Sequence, residues 1–265
     1  MDENRLFNNW ERALIVSVQL PNRSNAEVQS SLEEMSSLAY SLGGEVAGQL
    51  VQARPQIHPA YFFGKGKLDE IKSAIRNKAV DAVLVDNQLS PKQTQNLEKI
   101  FECEVLDRTQ VILEIFAKRA LTTEAKLQVK LAELKYDMPQ IKEKVRLAKI
   151  GEQPGFYGLG QYEVEKMRLD LKKRIWHITK KLEDSSVRRE LHRANRNKHK
   201  LHTITVAGYT NAGKTSLFNI LTDEENITSK GLFTTLTTTT RASKLFSNKI
   251  LISDTVGFIR RLPTY

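Results

Sequence analysis

Short apolar runs alternate with longer amphipathic segments through the first 120 residues of the chain. A short, largely apolar run bounded by turn residues predicts a strand, whereas apolar residues that recur every third or fourth position predict a helix. The predicted strands are 13–18, 45–53, 82–86 and 104–106, and the predicted helices are 25–42, 67–77, 91–100 and 109–119. This alternation is typical of a small parallel sheet with right-handed crossovers.

Two longer helical segments follow. In 127–148 the apolar residues alternate spacings of four and three, which is the seam of a coiled coil. We expect Pro139 to kink this helix locally. A second seam runs through 164–182, and the glycine-rich stretch 151–160 separates the two. The pattern predicts an antiparallel helical hairpin with a glycine-rich tip.

A strand, a glycine-containing loop and a helix come next. The run 203–207 is apolar and β-branched, and a helix is expected at 216–221. Between them, residues 208–215 read Gly-Tyr-Thr-Asn-Ala-Gly-Lys-Thr. Backbone N–H groups of such a loop turn toward a phosphate, and its glycines allow backbone angles and close approach that a Cβ would prevent. The segment predicts a nucleoside triphosphate site.

The residues of this loop have expected contacts with the nucleotide. Lys214 would reach the β- and γ-phosphates, and Thr215 would place its hydroxyl on Mg²⁺. The positive end of the following helix would point at the phosphates. The predicted nucleotide contacts of the loop are Gly208, Tyr209, Thr210, Asn211, Ala212, Gly213, Lys214 and Thr215.

Two further segments follow the loop. The stretch 232–240 contains six threonines and no charged residue, which suits a loop that gains order by reaching a metal ion. The alternative for this stretch is a threonine-rich edge strand. A strand expected at 249–253 ends in the D-x-x-G motif that begins at Asp254. Asp254 would hold Mg²⁺ through a water, and the N–H of Gly257 would sense the γ-phosphate.

The net charge of +10 is concentrated in one part of the chain. Residues 141–200 contain 17 Lys or Arg and 8 Asp or Glu, a local excess of nine positive charges. Such a concentration on predicted helices indicates nucleic-acid binding, and the alternative is a solvated helical face.

Cysteine usage and hydropathy bear on the compartment. The single Cys103 is typical of a reducing compartment, and we expect it in the core of a strand. No apolar run approaches the length of a membrane-spanning helix, and the polar start of the chain is not that of a signal peptide. The five histidines and the one cysteine have no zinc-ligand spacing. We expect a cytoplasmic monomer without a membrane span.

The three predicted nucleotide-binding segments resemble the G1, G2 and G3 motifs of translation-factor-related GTPases. Their amino-acid sequences most resemble those of the HflX family. The matching phrases are 208–215, 232–241 and 254–259. Phrases in the first half of the chain also resemble that family, at 61–67, 89–94, 107–117 and 125–136. The resemblance covers nearly the whole chain.

The resemblance assigns further site residues. It implies that Thr235 is the switch I ligand of Mg²⁺, and that Lys214, Thr235 and Gly257 act on the γ-phosphate. The contacts with the nucleotide would then include Phe233, Thr234, Thr235, Leu236, Thr237, Asp254, Thr255, Val256 and Gly257.

Two positions modify the expected chemistry. Many GTPases have a glutamine after D-x-x-G that orients the attacking water, but here Phe258 has no hydrogen-bonding group. We therefore expect slow intrinsic hydrolysis. The resemblance also suggests the hypothesis that Asn211 allows K⁺ to be coordinated between the phosphates and switch I.

The resemblance implies a GTPase that binds GTP and GDP, requires Mg²⁺, and associates with the large ribosomal subunit and its RNA. Such proteins separate stalled or idle ribosomes, and the ribosome would stimulate hydrolysis. Two alternatives stay open: a non-catalytic ribosome- or RNA-binding protein, and an ATP-using RNA remodeller. The tip at 157–161 reads Tyr-Gly-Leu-Gly-Gln, where the family usually has Arg-Gly-Pro-Gly-Glu.

We interpret the chain as an α/β protein in three parts. Residues 1–120 would form an α/β domain, 121–199 the basic hairpin, and 200–265 the first part of a P-loop GTPase domain. No N-K-x-D segment, which reads guanine in such domains, follows the third motif. We therefore expect a longer natural protein, and guanine specificity is implied by the resemblance alone.

Overall fold

The structure is a computed structural model that describes residues 10–151, 159–199, 201–210, 212–223, 238–243 and 250–258. The described residues belong to two compact units. One unit contains the described residues up to 115 together with 139–151. The other contains residues 116–138 together with the described residues from 159 on.

The first unit confirms the predicted alternation of strands and helices. The elements are β1 Arg12–Gln19, α1 Asn25–Leu42, β2 Glu45–Ala53, α2 Lys65–Lys78, β3 Ala82–Val85, α3 Pro91–Phe101, β4 Glu104–Asp107 and α4 Arg108–Arg119, of which α4 ends beyond residue 115. The strands form one sheet in the order β2-β1-β3-β4, and every pairing is parallel. The predicted small parallel sheet is therefore correct.

Local signals explain the ends of the helices. Ser24 and Glu27 form a reciprocal capping box at the start of α1, and Gly43 ends that helix with a φ of +97°. Ser90 and Gln93 form the same arrangement at the start of α3. The two residues of each box are three positions apart in the sequence. These helix starts can therefore be predicted from a short segment of sequence.

Most predicted bounds in this unit lie within one residue of the structure, but the start of α2 and the placement of Cys103 differ from the prediction. Helix α2 begins at Lys65, two residues before the predicted start, because Gly64 is its N-cap and accepts hydrogen bonds from the N–H groups of Lys67 and Leu68. Cys103 precedes β4 and is only half-buried against the core. Burial, with the nearby carboxylates of Asp81, Glu104 and Glu98, raises the pKa of its thiol to about 11.

A buried charge cluster lies beyond the end of β3. Asp86 accepts hydrogen bonds from Ser31 at 2.7 Å, from Ser17 at 3.3 Å, from Arg108 at 2.8 Å and from Arg23 at 3.3 Å. Burial favours a higher pKa for Asp86, but the Ser31 hydrogen bond and the two guanidinium groups outweigh it and hold the pKa below its ordinary value. The cluster joins β3 to β1, α1 and α4.

The two long helices predicted after the sheet are present. They are α5 Thr123–Gly151, which includes Pro139, and α6 Leu159–Lys198. A small cluster of Ala120, Ala125 and Val129 packs at the start of α5. Within the described part of the chain, no helix is both long and apolar enough to cross a membrane.

The last described elements are β5 His202–Val206, α7 Lys214–Thr222, β6 Thr239–Ala242 and β7 Ile250–Asp254. The strand order is β5-β7-β6, with β5 parallel and β6 antiparallel to β7. Thr239 and Thr240, at the end of the predicted switch segment, begin β6. For these two residues the edge-strand alternative is correct.

Candidate functional site

The loop predicted at 208–215 connects β5 to α7. Gly213 is the N-cap of α7 and has a φ of +77°, a left-handed conformation that favours glycine. The Leu217 N–H donates a 2.9 Å hydrogen bond to the Gly213 carbonyl and closes the first helical turn. A Cβ at Gly208 would lie 3.8 Å from Lys214 Cδ, which is an ordinary contact. Gly213 therefore determines how the loop enters α7, whose N-terminus is the positive end of the helix dipole.

The ammonium group of Lys214 lies against its own loop. Its Nζ donates a hydrogen bond to the Tyr209 carbonyl oxygen over 2.5 Å. Burial lowers the pKa of Lys214, and the negative charge of Asp254 acts in the opposite direction. The predicted contact of Lys214 with the β- and γ-phosphates would start from this position against the loop.

Strand pairing brings the third motif to the loop. Asp254, the last residue of β7, pairs in register with Val206, the last residue of β5. Thr215 Oγ1 donates a 2.8 Å hydrogen bond to Asp254 Oδ2. Asp254 is only 1% exposed. A buried carboxylate and the hydroxyl at the start of α7 therefore face each other at the carboxyl ends of two parallel strands, where α/β sheets bind ligands.

This donor set fits Mg²⁺. The ion prefers hard oxygen ligands, and in phosphate sites it takes only one or two from the protein while keeping waters and binding substrate phosphates. Thr215 and Asp254 supply a hydroxyl and a carboxylate oxygen 2.8 Å apart. In the described ranges no group of three or more His, Cys, Asp or Glu could hold a metal, and a magnesium site of this kind requires none.

The backbone after Asp254 is fastened to the phosphate loop. Thr255 Oγ1 donates to the Val206 carbonyl over 2.7 Å. The Phe258 N–H donates to the Gly208 carbonyl over 2.9 Å, and the Thr210 N–H donates to the Phe258 carbonyl over 3.2 Å. The loop and the third motif therefore share backbone hydrogen bonds, so a displacement of one segment strains the other.

Gly257 is required here by close approach. A Cβ at this position would lie 2.7 Å from Thr210 Cα, which is closer than real Cβ atoms come to backbone atoms. The glycine of D-x-x-G therefore has a packing role against the loop. Its predicted contact with the γ-phosphate stays a prediction.

Two aromatic rings flank this junction, and the sequence did not predict their contact. The rings of Tyr209 and Phe258 lie edge to face with their centroids 6.1 Å apart. Both side chains stay largely exposed, at 64% and 57%. The two positions are 49 residues apart, so only the register between the loop and the third motif brings the rings together.

The structure brings together most of the predicted site residues. Asn211 and the switch segment 233–237 lie outside the described residues, so their contacts stay predictions. The predicted residues that the structure places on the two adjoining segments are Gly208, Tyr209, Thr210, Ala212, Gly213, Lys214, Thr215, Asp254, Thr255, Val256 and Gly257.

Family models match three successive parts of the chain. A model described as the N-terminal region of GTP-binding GTPases matches residues 29–117, and one described as their middle region matches 119–196. A model described as a 50S ribosome-binding GTPase matches 203–264, which includes both segments of the site.

Curated relatives named GTPase HflX align along most of the chain. The protein of Methanocaldococcus jannaschii is 47% identical over 237 residues, covering 89% of this chain and 58% of the relative. The protein of Thermococcus kodakarensis is 41% identical, covering 92% and 55%, and that of Escherichia coli strain K12 is 38% identical, covering 96% and 59%. The chain thus spans little more than half the length of these relatives.

Solved structures with a similar fold contain a nucleotide. A complex of SsGBP with GDP covers 96% of this chain, with a TM-score of 0.56 and 28% identity, and the chain covers 64% of it. A GTP-binding protein from Sulfolobus solfataricus in complex with GDP gives a TM-score of 0.51 and 26% identity, with coverages of 96% and 63%. Sequence and fold therefore point to the same group of proteins.

Proposed function

The chain belongs to the HflX family of GTPases, and from this we propose that it binds GTP and hydrolyses it to GDP at the site formed by 208–215 and 254–257. The observation that carries the proposal is the pairing of Thr215 with the buried Asp254 directly beside the phosphate loop. The nucleotide-bound solved relatives and the matching GTPase model support it.

The cationic side chain of this site binds phosphate, and the oxygen-bearing side chains bind the metal. Lys214 neutralises the β- and γ-phosphates from its position against the loop backbone. Thr215 and Asp254, which now share a hydrogen bond, would hold Mg²⁺, Asp254 through a water. When bound, Mg²⁺ supplies positive charge to the phosphate oxygens. The N–H of Gly257, in the third motif, donates a hydrogen bond to the γ-phosphate and so senses its presence.

Hydrolysis by this site alone is slow. The side chain of Phe258 cannot orient a water, and its ring packs against Tyr209. Thr235 of switch I would hold Mg²⁺, and Asn211 would allow K⁺ to be coordinated between the phosphates and switch I. These ions would supply positive charge beside the γ-phosphate, which Phe258 does not. A stimulating partner completes this arrangement, as in GTPases whose catalytic groups are assembled on binding.

The partner we propose is the large ribosomal subunit, and the product of the cycle is separated ribosomes. Two observations support this partner. The matching GTPase model is described as 50S ribosome-binding. The segment 141–200 carries a net excess of nine positive charges, which suits RNA phosphates. Loss of the γ-phosphate would release the two switch segments and thereby change the grip on RNA.

Turnover in the presence of ribosomal subunits tests the proposal. GTP hydrolysis by the purified protein is measured with large subunits, with small subunits and without either. Stimulation by large subunits alone is the expected result. Binding to large subunits without any turnover would favour a non-catalytic RNA-binding protein, and ATP competing as well as GTP would favour an ATP-using remodeller.

A further inference from the structure

Helix α6 has a second face, opposite its apolar seam. Successive residues of an α-helix rotate by about 100° around the axis. The half-buried seam residues fall on one side, and they are Leu171, Ile175, Ile178 and Leu182. The opposite side carries what we call the tryptophan strip, which consists of Leu169, Lys172, Lys173, Trp176 and Lys180.

The tryptophan strip is exposed and apolar at its centre. Trp176 is 61% exposed and Leu169 is 49% exposed. The only other tryptophan of the chain, Trp10, is 9% exposed. Single exposed apolar side chains are ordinary on protein surfaces, and Leu191 of the same helix is 62% exposed. Exposure of the indole therefore matters here only together with the charged groups around it.

The charge around the indole is strongly positive. Residues 166–181 contain seven Lys or Arg and one Asp. Lys172, Lys173 and Lys180 are exposed, and within the described part of the chain none of them forms a salt bridge. The Lys180 ammonium lies 5.3 Å from the centroid of the Trp176 ring, a cation–π distance. The cationic groups are therefore available to an anionic partner on either side of the ring.

An aromatic ring among unpaired lysines matches one class of partner. Lysines bind phosphates without regard to sequence, whereas an exposed indole stacks on a nucleobase. Bases of a continuous RNA duplex are stacked on each other, so an unpaired or bulged base is the one available for stacking. An acidic peptide would satisfy the lysines and leave the indole without a comparable contact.

We propose that the tryptophan strip binds RNA that has an unpaired base, with the base stacked on Trp176 and the flanking phosphates on Lys172, Lys173 and Lys180. This deepens the proposed function, on which it rests, by assigning the RNA contact to the side of α6 that carries Trp176.

The test compares two short RNA hairpins that are identical except for one bulged nucleotide. Binding of the whole chain is measured by anisotropy of labelled RNA at several salt concentrations. Trp176→Ala should weaken binding of the bulged hairpin roughly tenfold, and Trp176→Phe should retain most of the affinity. Tyr40→Ala is the matched control, because Tyr40 is 60% exposed on α1 and should leave affinity unchanged.

Tryptophan fluorescence gives a second readout that a merely structural role would not change. In a Trp10→Phe variant, Trp176 is the single indole. The bulged hairpin should quench its emission, and the fully paired hairpin should not. Equal affinity of the Trp176→Ala and Tyr40→Ala variants, equal quenching by both hairpins, or equally tight binding of poly-glutamate would each overturn the proposal.

These outcomes are independent of the GTPase assay. Suppose that large subunits still stimulate turnover by Trp176→Ala and that its RNA affinity is unchanged. That outcome would contradict the RNA-binding role of the tryptophan strip and leave the proposed function intact. Loss of turnover in all conditions, with bulge-dependent quenching intact, would contradict the GTPase proposal and leave the RNA-binding role of the tryptophan strip intact.

Discussion

The hydroxyl of Thr215 donates a 2.8 Å hydrogen bond to the carboxylate of Asp254, which lies 39 positions further along the chain. One residue begins a helix after the phosphate loop and the other ends a neighbouring strand. Their contact aligns the phosphate loop with the third motif.

Lys214→Ala should weaken GTP binding by roughly 10- to 100-fold, because it removes a charge-assisted contact with the phosphates. Equilibrium titration with a fluorescent GTP analogue measures the change. Lys92→Ala, at an exposed lysine of α3, is the control and should bind GTP normally. RNA affinity should be the same in both variants, and a parallel loss of RNA binding in Lys214→Ala would contradict separate sites.

Gly257→Ala should lower the free energy of unfolding by about 1–3 kcal/mol, because the added Cβ would overlap the backbone of Thr210. The readout is urea unfolding followed by circular dichroism. Gly66→Ala is the matched control, since a Cβ there has nothing within 4 Å. An equal, small effect of both substitutions would show that the third motif does not pack against the loop.

Asp86 should make stability depend on pH below about 4. Its pKa is held below the ordinary value by Ser31, Arg108 and Arg23 in spite of burial. The stability it contributes is therefore complete above the unfolded pKa and is lost as pH falls through the folded pKa. Urea unfolding at a series of pH values follows this loss.

The Asp86→Asn variant sharpens the same measurement. At pH 7 it should lower the free energy of unfolding by about 3–5 kcal/mol, because the buried guanidinium groups of Arg23 and Arg108 lose the carboxylate of Asp86, although Arg108 keeps its ion pair with Glu34. The difference from the unmodified chain should shrink as pH falls below about 4, where Asp86 becomes protonated first in the unfolded chain, and should be lost as pH falls through the lower pKa of folded Asp86. Asp69→Asn, at an exposed position of α2, should change neither the free energy of unfolding at pH 7 nor its dependence on pH. A deficit that stays constant across the acid range would argue against ionisation of Asp86 as its source.

Turnover should be faster in potassium than in sodium buffer if Asn211 helps to hold K⁺ near the γ-phosphate. Steady-state GTP hydrolysis in matched chloride salts measures this, with large ribosomal subunits present. Asn211→Ala should make the two rates equal without changing the sodium rate. Equal rates in the unmodified protein would contradict the hypothesis.

Much of the fold could be predicted because its signals are local. Helix α1 has the predicted bounds Asn25–Leu42, since the capping box at Ser24 and the glycine at 43 lie next to its ends. The start of α2 was missed by two residues because Gly64 caps it through backbone groups alone, without a side-chain hydrogen bond. The phosphate loop could be found because its glycine and lysine positions stand in one short segment.

The tertiary structure decided which distant residues meet. Thr215 and Asp254 meet only because β5 and β7 pair in register, and the same register brings Tyr209 to Phe258. Arg108 reaches Asp86 only because the parallel order of the sheet places α4 beside the end of β3.

The sequence by itself determined the order of the elements, the phosphate loop and the basic character of α6. Hydrophobic period, caps and glycine positions act within a turn of helix or a few residues of strand, so a local pattern is enough to specify them. Side-chain pairs between strands and helices depend on register and burial, which arise only when the sheet is assembled. The alignment of the site and the exposure of Trp176 on α6 belong to that second kind of information.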